Sequence, residues 1–320
     1  MADIDAMLEE AAALIGDAGS IATIGHVGPD GDALGSALAL ALAARAAGKD
    51  AWATFGEPFV VPSQFDYLDQ SPLVRSTEVP RSVDVAIVCD VAAEDRLGSA
   101  APVAAGAGRV VVVDHHASNA GFGDCRVIDP AAAATAVLAY RLIAALGWPM
   151  TRAVADALYT GLVTDTGRFQ YSATSPDDHR MAADLLEAGV RPEVIGRHVY
   201  EEAPFGYLSV AGAVLARAQL DADRRLVWSV LLQNDLTAGG IAYEEADGLI
   251  DLIRIAEESE VACLLREVGG GAVKGSLRSR GAVDVGSIAA ALGGGGHHNA
   301  AGFTVEGSIA DAIEQVRARL

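Results

Sequence analysis

Val111-Val-Val-Asp-His-His116 is the stretch that decides the fold of this protein. Successive β-branched residues are typical of a buried strand, and here an acid and two imidazoles follow directly at the carboxyl end of that strand. Polar side chains cost free energy when they are buried without partners, and a divalent metal ion is a partner that carboxylates and imidazoles share. The stretch therefore predicts a strand that ends in a metal site.

Apolar strands alternate with helical stretches through the first half of the chain. This alternation predicts an α/β fold with a largely parallel, doubly wound sheet that helices cover on both faces. The predicted strands are 21–25, 51–55, 83–89 and 109–113, and the predicted helices are 3–18, 33–47, 131–146 and 151–163. In such sheets ligands bind at the carboxyl ends of the strands, so we expect a site there.

The last third of the chain predicts a second, smaller α/β domain. Its predicted strands are 226–232, 261–267 and 272–277, and its predicted helices are 243–257, 284–292 and 308–319. Between the two patterns, a helical stretch from about 178 to 200 is interrupted by Pro192 and Pro204, as in a connector. We therefore expect a first domain at 1–188, a linker at 189–206 and a second domain at 207–320.

Composition argues against several classes of protein. With 51% hydrophobic and 21% charged residues, the sequence is typical of a globular chain and not of a disordered one. The net charge of −20 has the wrong sign for tracking along a long nucleic acid, although metal ions and a few arginines can hold a small phosphorylated substrate. No apolar run approaches the ~20 residues that cross a bilayer, and the acidic N-terminus is unlike a signal peptide. Cys89, Cys125 and Cys263 show no pairing pattern, so we expect a cytoplasmic protein with Cys89 in its core.

Three further segments deliver acids or histidines to the carboxyl edge of the predicted sheet. The loop Gly25-His-Val-Gly-Pro-Asp-Gly-Asp32 follows the first strand, Asp90 ends another strand, and Asp165 follows a later apolar stretch. Each has a structural alternative, since Asp32 or Asp90 could cap a helix and His26 could be a satisfied loop histidine. Four segments that converge on one edge favour a shared ligand over four separate structural roles.

The ligand types favour two divalent cations. Imidazole and carboxylate together suit Mn²⁺ best and Mg²⁺, Co²⁺ or Fe²⁺ less well, and the absence of thiolates argues against a structural zinc site. The candidate side chains are too many for one ion but suit two ions that share a carboxylate. Two ions about 3.5–4 Å apart can activate water and stabilise a phosphoryl transition state, so the pattern predicts a metal-dependent hydrolase.

These segments resemble the four motifs of the DHH phosphoesterase superfamily, which is named for the triplet seen here as Asp114-His-His116. The segment Gly293-Gly-Gly-Gly-His-His-Asn-Ala-Ala-Gly302 resembles the GGGH signature of the DHHA1 branch. Together the motifs span residues 25–302, and no ligand of the pattern is missing. The resemblance implies a DHH catalytic domain followed by a DHHA1 substrate-binding domain.

The resemblance also implies a role for each residue of the first motifs. Asp114 would orient a neighbouring ligand histidine, and His116 would face the substrate as a hydrogen-bond donor or as the proton carrier to the leaving oxygen. Sequence adjacency does not show which of the two histidines points towards the ions. The implied metal ligands are His26 and Asp30 for one ion, Asp32, His115 and Asp165 for the other, and Asp90 as the bridge.

The second domain is expected to bind the phosphate of the substrate. By itself the tetraglycine could be a flexible linker, and the basic segment 274–280 a solvated strand edge. The resemblance instead implies contacts with phosphate, for which glycines allow close approach. We favour Arg278 over Arg280 for this contact and consider Arg168 of the first domain for another, with a surface role for Arg168 left open. The expected substrate-binding residues are Arg168, Arg278, Ser279, Gly295, Gly296, His297 and Asn299.

A chain of this size resembles the short-oligonucleotide hydrolases of the DHHA1 branch. The resemblance implies degradation of nanoRNA and pApA to mononucleotides, removal of the 3′-phosphate from pAp, or cleavage of cyclic di-AMP. We rank linear dinucleotides and pAp first and cyclic di-AMP as the alternative. Family members are commonly dimers, so we expect a homodimer that has neither a membrane nor a long nucleic acid as partner.

Three rival interpretations fit the sequence less well. Manganese pyrophosphatases share the DHH half but have a different C-terminal domain without GGGH. RecJ-type exonucleases usually add a further nucleic-acid-binding domain, for which we expect no room in this chain. A non-catalytic nucleotide-binding regulator would be expected to lose at least one metal ligand, and none is lost.

Overall fold

The chain folds into two units, Met1–Glu202 and Ala203–Leu320. The computed structural model describes residues 4–246, 248–268 and 271–320. Residues 189–202, which were expected to form most of the linker, contain the helix Pro192–Gly196 and a π-helical turn at Arg197–Glu201. Ile195 of this helix is buried in the core of the first unit, so the segment is part of that unit. Pro192 opens the helix, because proline fits the first helical turn.

The first unit is built on a sheet of five parallel strands. The spatial order is β2-β1-β3-β4-β5, which confirms the parallel, doubly wound fold expected from the sequence. The last of these strands was not predicted, because its four residues are too short a run to stand out. The strands are β1 Ser20–Ile24, β2 Asp50–Thr54, β3 Val85–Cys89, β4 Arg109–Asp114 and β5 Cys125–Ile128.

The helices of the first unit pack around a central, almost entirely apolar helix. They are α1 Ile4–Gly16, α2 Gly31–Ala46, α3 Ala101–Gly106, α4 Thr135–Ala145, α5 Arg152–Asp165, α6 Pro176–Glu187 and α7 Pro192–Gly196. The central helix is α2, which is buried along most of its length. Gly35 of α2 packs on α5 so closely that a Cβ atom would collide with the Ala157 carbonyl oxygen. On the facing helix, a Cβ atom at Gly161 would lie 2.7 Å from Oδ1 of Asp32. The glycines therefore let α5 approach the first turn of α2, where candidate ligands lie.

The order of the strands reverses between β1 and β3. β2 lies on one side of β1, whereas β4 and β5 follow β3 on the other side. The connections that leave the carboxyl ends of β1 and β3 diverge, and the crevice between them is where doubly wound folds bind ligands. His26 comes two residues after β1 and Asp90 comes directly after β3. Both side chains therefore lie at this crevice.

The second unit has a six-stranded mixed sheet. Its strands are β6 Gln219–Asp221, β7 Leu226–Leu231, β8 Val261–Glu267, β9 Ala272–Ser279, β10 Gly295–His297 and β11 Ala300–Glu306. The order is β10-β11-β9-β8-β7-β6, in which β7 and β8 run parallel and the other neighbours antiparallel. Successive residues of β8 contribute to two different cores, Cys263 to one and Leu264 to the other. Since neighbouring side chains of a strand point to opposite faces, the sheet is covered on both faces.

The helices of the second unit differ in part from those predicted. They are α8 Gly206–Ala216, α9 Gln233–Gly239, α10 Leu249–Ile253, α11 Val285–Ala290 and α12 Ile309–Arg317. The predicted helix at 243–257 is instead a 3₁₀ turn at Glu244–Ala246 followed by α10, with Asp247 outside the described residues. Five helices and strands of this unit were not predicted from the sequence, namely β6, α8, α9, β10 and β11. Among the helices that the structure describes, none combines the length and the apolar character needed to cross a membrane.

Candidate metal centre

The loop between β1 and α2 supplies the first candidate ligands. Asp30 caps α2, because its Oδ1 accepts hydrogen bonds from the backbone N–H groups of Asp32 at 3.1 Å and Ala33 at 3.0 Å. Its Oδ2 faces His26, whose Nε2 lies 3.8 Å away. The helix cap that was an alternative role for Asp32 is thus provided by Asp30. One carboxylate both starts the helix and reaches the histidine.

Asp32 is buried and connects α2 to the first turn of α4. Its Oδ2 accepts a hydrogen bond from Thr135 N at 2.6 Å, and its Oδ1 accepts one from Ala136 N at 2.8 Å. The N-terminus of α4 therefore stabilises the negative charge of this carboxylate. The same Oδ2 lies 3.8 Å from Nε2 of His115, so Asp32 is held with its carboxylate beside the histidine that follows β4.

Asp90 lies between two histidines. Its Oδ2 is 3.7 Å from Nε2 of His26, and its Oδ1 is 3.6 Å from Nε2 of His115. Thr135 fixes the carboxylate, because its hydroxyl donates a 2.9 Å hydrogen bond to Oδ1. The backbone of Asp90 is left-handed, with φ of +60°, a conformation that non-glycine residues adopt at a cost of about 1–3 kcal/mol and that is common at functional sites. This geometry places one carboxylate oxygen beside each histidine.

Backbone carbonyls set the orientation of both histidines. Nδ1 of His115 lies 3.1 Å from the Ala132 carbonyl oxygen, and Nδ1 of His26 lies 3.0 Å from the Val27 carbonyl oxygen. An Nδ1–H that donates to a carbonyl leaves Nε2 as the atom with a lone pair, which is the usual arrangement of a metal-binding histidine. Nε2 of His115 also lies 3.2 Å from Oδ2 of Asp165 at the end of α5. Both imidazoles therefore turn Nε2, the atom that would bind a metal ion once deprotonated, towards carboxylates.

Asp114 orients a different histidine from the one expected. Its Oδ1 accepts hydrogen bonds from Nδ1 of His116 at 2.7 Å and from the backbone N–H of His115 at 2.9 Å. Asn119 donates to its Oδ2 at 2.6 Å. We expected Asp114 to orient a metal-binding histidine, but Ala132 already accepts the Nδ1–H of His115. The buried Asp114 therefore orients the ring of His116.

In the metal-free protein, burial and neighbouring charges shift the pKa values of the acids and histidines of this cluster. Burial, together with the charges of neighbouring carboxylates, raises the pKa of Asp32 and of Asp165 to about 7 and that of Asp90 to about 6. Burial alone would lower the pKa of both imidazoles, but the adjacent carboxylates outweigh it and raise the pKa of His26 and of His115 to about 9. Full ionisation of the carboxylates thus needs positive charge in the cluster.

The donor set fits divalent cations. Two groups that consist only of predicted metal ligands have ligand atoms that lie within 4.8 Å of one another, and Asp90 belongs to both. Imidazole nitrogen and carboxylate oxygen are donors that Mn²⁺, Mg²⁺ and Co²⁺ accept, and Nδ1 of each histidine faces a backbone carbonyl oxygen, which leaves Nε2 for a metal ion. Cys89 is buried in the core and contributes no thiolate, as predicted. The groups are His26 with Asp30 and Asp90, and Asp32 with Asp90 and His115.

Several residues at the site were not predicted from the sequence. Thr135 and Asn119 hold the carboxylates of Asp90 and Asp114, and Nη2 of the exposed Arg96 lies 3.3 Å from Nδ1 of His26. None belongs to a motif that predicts chemistry. Thr135 and Arg96 reach the site through the packing of separate elements, whereas Asn119 reaches Asp114 from within the loop that follows β4. Of these three residues, only Thr135 could have been suggested by local sequence, because a threonine in the first turn of a helix offers both a free N–H and a hydroxyl to a ligand or side chain.

Arg168 lies in the exposed turn that follows Asp165. Its guanidinium Cζ is 4.4 Å from the centre of the Tyr200 ring. Arg168 is therefore exposed, as the surface alternative requires, and its side chain also stacks on an aromatic ring within the first unit.

In the second unit, the glycine-rich segment forms a strand and not an open loop. Gly295–His297 is the edge strand β10, which pairs with β11. Gly296 has φ of +141°, and a Cβ atom there would lie 2.6 Å from Cα of Ala301. The strand register aligns Arg278, Ala300 and His297 across three neighbouring strands. Paired residues point to the same face, so Arg278 and His297 share one face of the sheet.

The other predicted residues of this unit mainly fix its own structure. The buried Ser279 donates a 3.1 Å hydrogen bond from its hydroxyl to Oδ1 of Asn299, and its N–H donates to the Asn299 carbonyl oxygen at 2.9 Å. Arg280 donates to the carbonyl oxygens of residues 254, 255 and 256, just beyond the end of α10. Nη2 of Arg280 is thus engaged within the second unit, whereas the choice of Arg278 as the phosphate contact stays a prediction.

Comparison with known proteins assigns both units to families. The N-terminal domain of the DHH family matches residues 20–162, and the DHHA1 domain matches residues 231–320. Both matches agree with the resemblance seen in the motifs.

Relatives match over most of the chain. The bifunctional oligoribonuclease and PAP phosphatase NrnA of Thermus thermophilus is 39% identical over 296 residues, 91% of this chain and 86% of that protein. NrnA of Bacillus subtilis is 25% identical over 88% of this chain and 87% of that protein. The crystal structure of an exopolyphosphatase-related protein from Bacteroides fragilis has a TM-score of 0.88 and 26% identity, and the match covers 98% of this chain and 95% of that one. This chain belongs to the DHH phosphoesterase family, with a DHH domain in its first unit and a DHHA1 domain in its second.

Proposed function

We propose that this protein hydrolyses short oligoribonucleotides, including pApA, to mononucleotides and pAp to AMP, with two divalent cations that are preferentially Mn²⁺. The observation that carries the proposal is the carboxylate of Asp90, which has one oxygen beside His26 and the other beside His115. Such a carboxylate at the ligand-binding crevice of a doubly wound sheet suits a bridge between two ions. The name of the Thermus thermophilus relative supports the choice of substrates.

The first unit would hold the ions. Asp90 would bridge them, since it belongs to both groups of candidate ligands. When bound, the two cations would supply Lewis acidity to the phosphoryl group and to the attacking water. The proposed ligands are His26 and Asp30 for one ion, and Asp32, His115 and Asp165 for the other.

His116 would donate the proton to the leaving oxygen, and Asp114 would hold it in place. The 2.7 Å hydrogen bond from Nδ1 to Asp114 leaves Nε2 of His116 for contact with the substrate. Burial alone would lower the pKa of His116, but this hydrogen bond and the charge of Asp90 raise it above its usual value. A raised pKa favours the protonated imidazole, which is the form that a general acid requires.

The second unit would bind the phosphate of the substrate. Arg278 and His297 share one face of the sheet, and the glycines of β10 leave its backbone open to close approach. Ser279 and Asn299 would support this surface through their mutual hydrogen bond. Arg168 of the first unit would supply a further guanidinium. The proposed substrate-binding residues are Arg168, Arg278, Ser279, Gly295, Gly296, His297 and Asn299.

We propose that the protein acts in the cytoplasm as a homodimer. The three cysteines are buried and free, as in a reducing compartment. Phe205 and Leu208 are 86% and 65% exposed, and apolar surface of this kind is typical of contacts between protein chains. Light scattering coupled to size-exclusion chromatography tests the dimer, which a monomeric mass at micromolar concentration would exclude.

A comparison of substrates tests the activity. Purified protein stripped of metal and then supplied with Mn²⁺ or Mg²⁺ is assayed for kcat/KM on pApA, pAp, cyclic di-AMP and a pentaribonucleotide. We expect the highest values for pApA and pAp with Mn²⁺ and none without metal. A higher value for cyclic di-AMP would replace the proposed substrate, and binding of all four nucleotides without hydrolysis would indicate a nucleotide-binding regulator.

A further inference from the structure

Two unusual backbone segments meet beside Asp165. Gly167, Arg168 and Phe169 have φ of +55°, +63° and +62°, which makes a turn of left-handed backbone that begins two residues after the end of α5. This conformation is unfavourable for any residue with a Cβ atom, so two such residues in succession must be held by their surroundings. The second segment is the π-helical turn at Arg197–Glu201. Such turns are rare in proteins as a whole, but those that occur are often found at functional sites.

Both segments are joined at a single carbonyl oxygen. The oxygen of Val163, two residues before Asp165, accepts hydrogen bonds from the N–H of Arg168 at 2.8 Å and from the hydroxyl of Tyr200 at 3.0 Å. Tyr200 belongs to the π-helical turn, and its ring also lies under the Arg168 guanidinium, with Cζ 4.4 Å from the ring centre. One tyrosine thus contacts the side chain of Arg168 and the carbonyl that holds its backbone.

The π-helical turn is anchored to α5 at a second point. His198 stacks on Tyr67 with ring centres 5.0 Å apart, and the hydroxyl of Tyr67 lies 2.6 Å from Oγ1 of Thr160. Thr160 is one helical turn before Val163 on α5. The turn is therefore fixed to the helix that delivers Asp165. This anchorage gives Tyr200 a defined position relative to the end of α5.

The left-handed turn has its own supports, which leave Arg168 exposed. Phe169 stacks on His179 with ring centres 4.8 Å apart, and its N–H donates to Oγ1 of the buried Thr166 at 3.0 Å. These contacts hold the two ends of the turn, whereas the exposed Arg168 contacts Tyr200. A flat guanidinium on an aromatic ring loses less freedom when it binds phosphate than a side chain that moves in solvent.

We propose that Tyr200 is a positioning residue, which holds the Arg168 guanidinium ready for a phosphate of the substrate beside Asp165. This inference rests on the proposed function, in which Arg168 contacts the substrate. Tyr200 itself touches neither the substrate nor the ions in this proposal. Its ring positions the charge, and its hydroxyl positions the backbone turn that carries the charge.

The test compares Tyr200→Leu, Tyr200→Phe and Arg168→Gln in the full chain with Mn²⁺ and pApA. Tyr200→Leu removes the ring and should raise KM by about two- to fivefold, the size expected for a partly exposed cation–π contact, with kcat nearly unchanged. Tyr200→Phe keeps the ring, so KM should stay closer to the wild-type value than in Tyr200→Leu. In an Arg168→Gln background, Tyr200→Leu should have no further effect on KM.

Other results would overturn the inference. An unchanged KM in Tyr200→Leu, or the same rise in KM with and without Arg168, would show that Tyr200 does not act through the arginine. A fall in kcat together with weaker Mn²⁺ binding in calorimetry would show that Tyr200 only supports the end of α5.

Two controls make the outcome specific. Arg168→Lys keeps the charge but loses the flat stacked group, and a rise in KM there tests the proposal even if Tyr200→Leu does not fold. Unchanged KM in Arg168→Lys would also count against it. Arg180→Gln removes an exposed cation on α6 and should leave KM unaltered. A wild-type protein that hydrolyses neither pApA nor pAp would refute the proposed function, whereas an active wild type with no effect of Tyr200→Leu would refute this inference alone.

Discussion

Asp90 is a candidate metal ligand whose backbone conformation and buried charge both lower the stability of the metal-free fold. Its carboxylate is buried between His26 and His115, and its backbone has φ of +60°. Burial and the charge of Asp30 raise its pKa to about 6, so the ionised form is disfavoured in the metal-free protein. The strain and the buried charge both disfavour folding, whereas bound cations would offset the charge.

Asp90→Asn should therefore separate activity from stability. The amide cannot bridge two cations, so we expect kcat/KM on pApA to fall by about a hundredfold or more. Asparagine tolerates the left-handed backbone and carries no charge, so the metal-free variant should melt at or above the wild-type temperature. Steady-state kinetics and calorimetry measure the two effects. Asp223→Asn, an exposed carboxyl of the second unit, is the control and should change neither, and full activity in Asp90→Asn would exclude the two-metal site.

Arg278 and Arg280 lie two residues apart at the end of β9 but should respond differently to substitution. Arg278→Gln should raise KM for pApA by an amount equivalent to about 1.5–3 kcal/mol, the value of a charge-assisted hydrogen bond. Arg280→Gln should mainly lower the melting temperature, because Arg280 donates to three carbonyl oxygens beyond α10. Kinetics and thermal unfolding of both variants check this. A raised KM in Arg280→Gln alone would move the phosphate contact to that residue.

At the scale of elements, glycine lets a strand form in a segment whose tetraglycine, taken by itself, could be a flexible linker. β10 pairs with β11, and Gly296 comes so close to β11 that no side chain fits. Gly295, its neighbour in the same strand, lies in open space, since a Cβ atom there would have no neighbour within 4 Å, and its backbone is not left-handed. The backbone of β10 therefore requires glycine at residue 296 but not at residue 295.

Substitution of each glycine by alanine tests this difference. Gly296→Ala should destabilise the protein by roughly 1–3 kcal/mol, since it adds both a steric clash and an unfavourable φ. Gly295→Ala is the matched control and should fold with nearly wild-type stability. Chemical denaturation followed by tryptophan fluorescence measures both variants. Equal stabilities would show that the backbone of β10 does not need glycine at residue 296.

At the scale of the whole molecule, the charge cluster makes the stability of the metal-free protein depend on pH. The pKa values of Asp32 and Asp165 are raised to about 7 by burial, above the unfolded values near 4, so these groups destabilise the fold progressively as the pH rises from about 4 to 7. Burial opposes the charge on His26 and His115, but the carboxylates together outweigh it and raise the pKa of both rings to about 9. The stabilising effect of the histidines is complete below about pH 6.5 and is lost as the pH rises to about 9. Both effects have the same sign.

The metal-free protein should therefore melt at a lower temperature at pH 8.5 than at pH 5, by about 5 °C or more. Mn²⁺ should raise the melting temperature more at pH 8.5, because ligands must lose protons to bind it. Differential scanning calorimetry with and without EDTA measures the effect. A metal-free protein that becomes more stable between pH 5 and pH 8.5 would contradict it, and a flatter profile in Asp90→Asn would support the assignment to this cluster.

Much of this architecture follows from local pattern. Val85–Cys89 and Arg109–Asp114 are strands because short β-branched and apolar runs fit a buried parallel sheet. The same pattern places Asp90 and Asp114 at strand ends, so the candidate site could be located from the sequence. Helices α8 and α9 and strands β10 and β11 were missed, because their residues carry weak or conflicting local preferences. Their structure depends on packing against β7, β8 and β9.

The sequence by itself determined the residue types at the site, their place at the carboxyl edge of a parallel sheet and the family of the chain. Only the tertiary structure decided how these residues divide their roles. His115 and His116 are adjacent, yet one donates to Ala132 and the other to Asp114. Adjacent side chains diverge according to which partners the surrounding elements offer, and these partners come from segments far apart in the chain. The contact of Arg168 with Tyr200 has the same origin, since it depends on packing between a left-handed turn and a π-helical turn that no local pattern predicts.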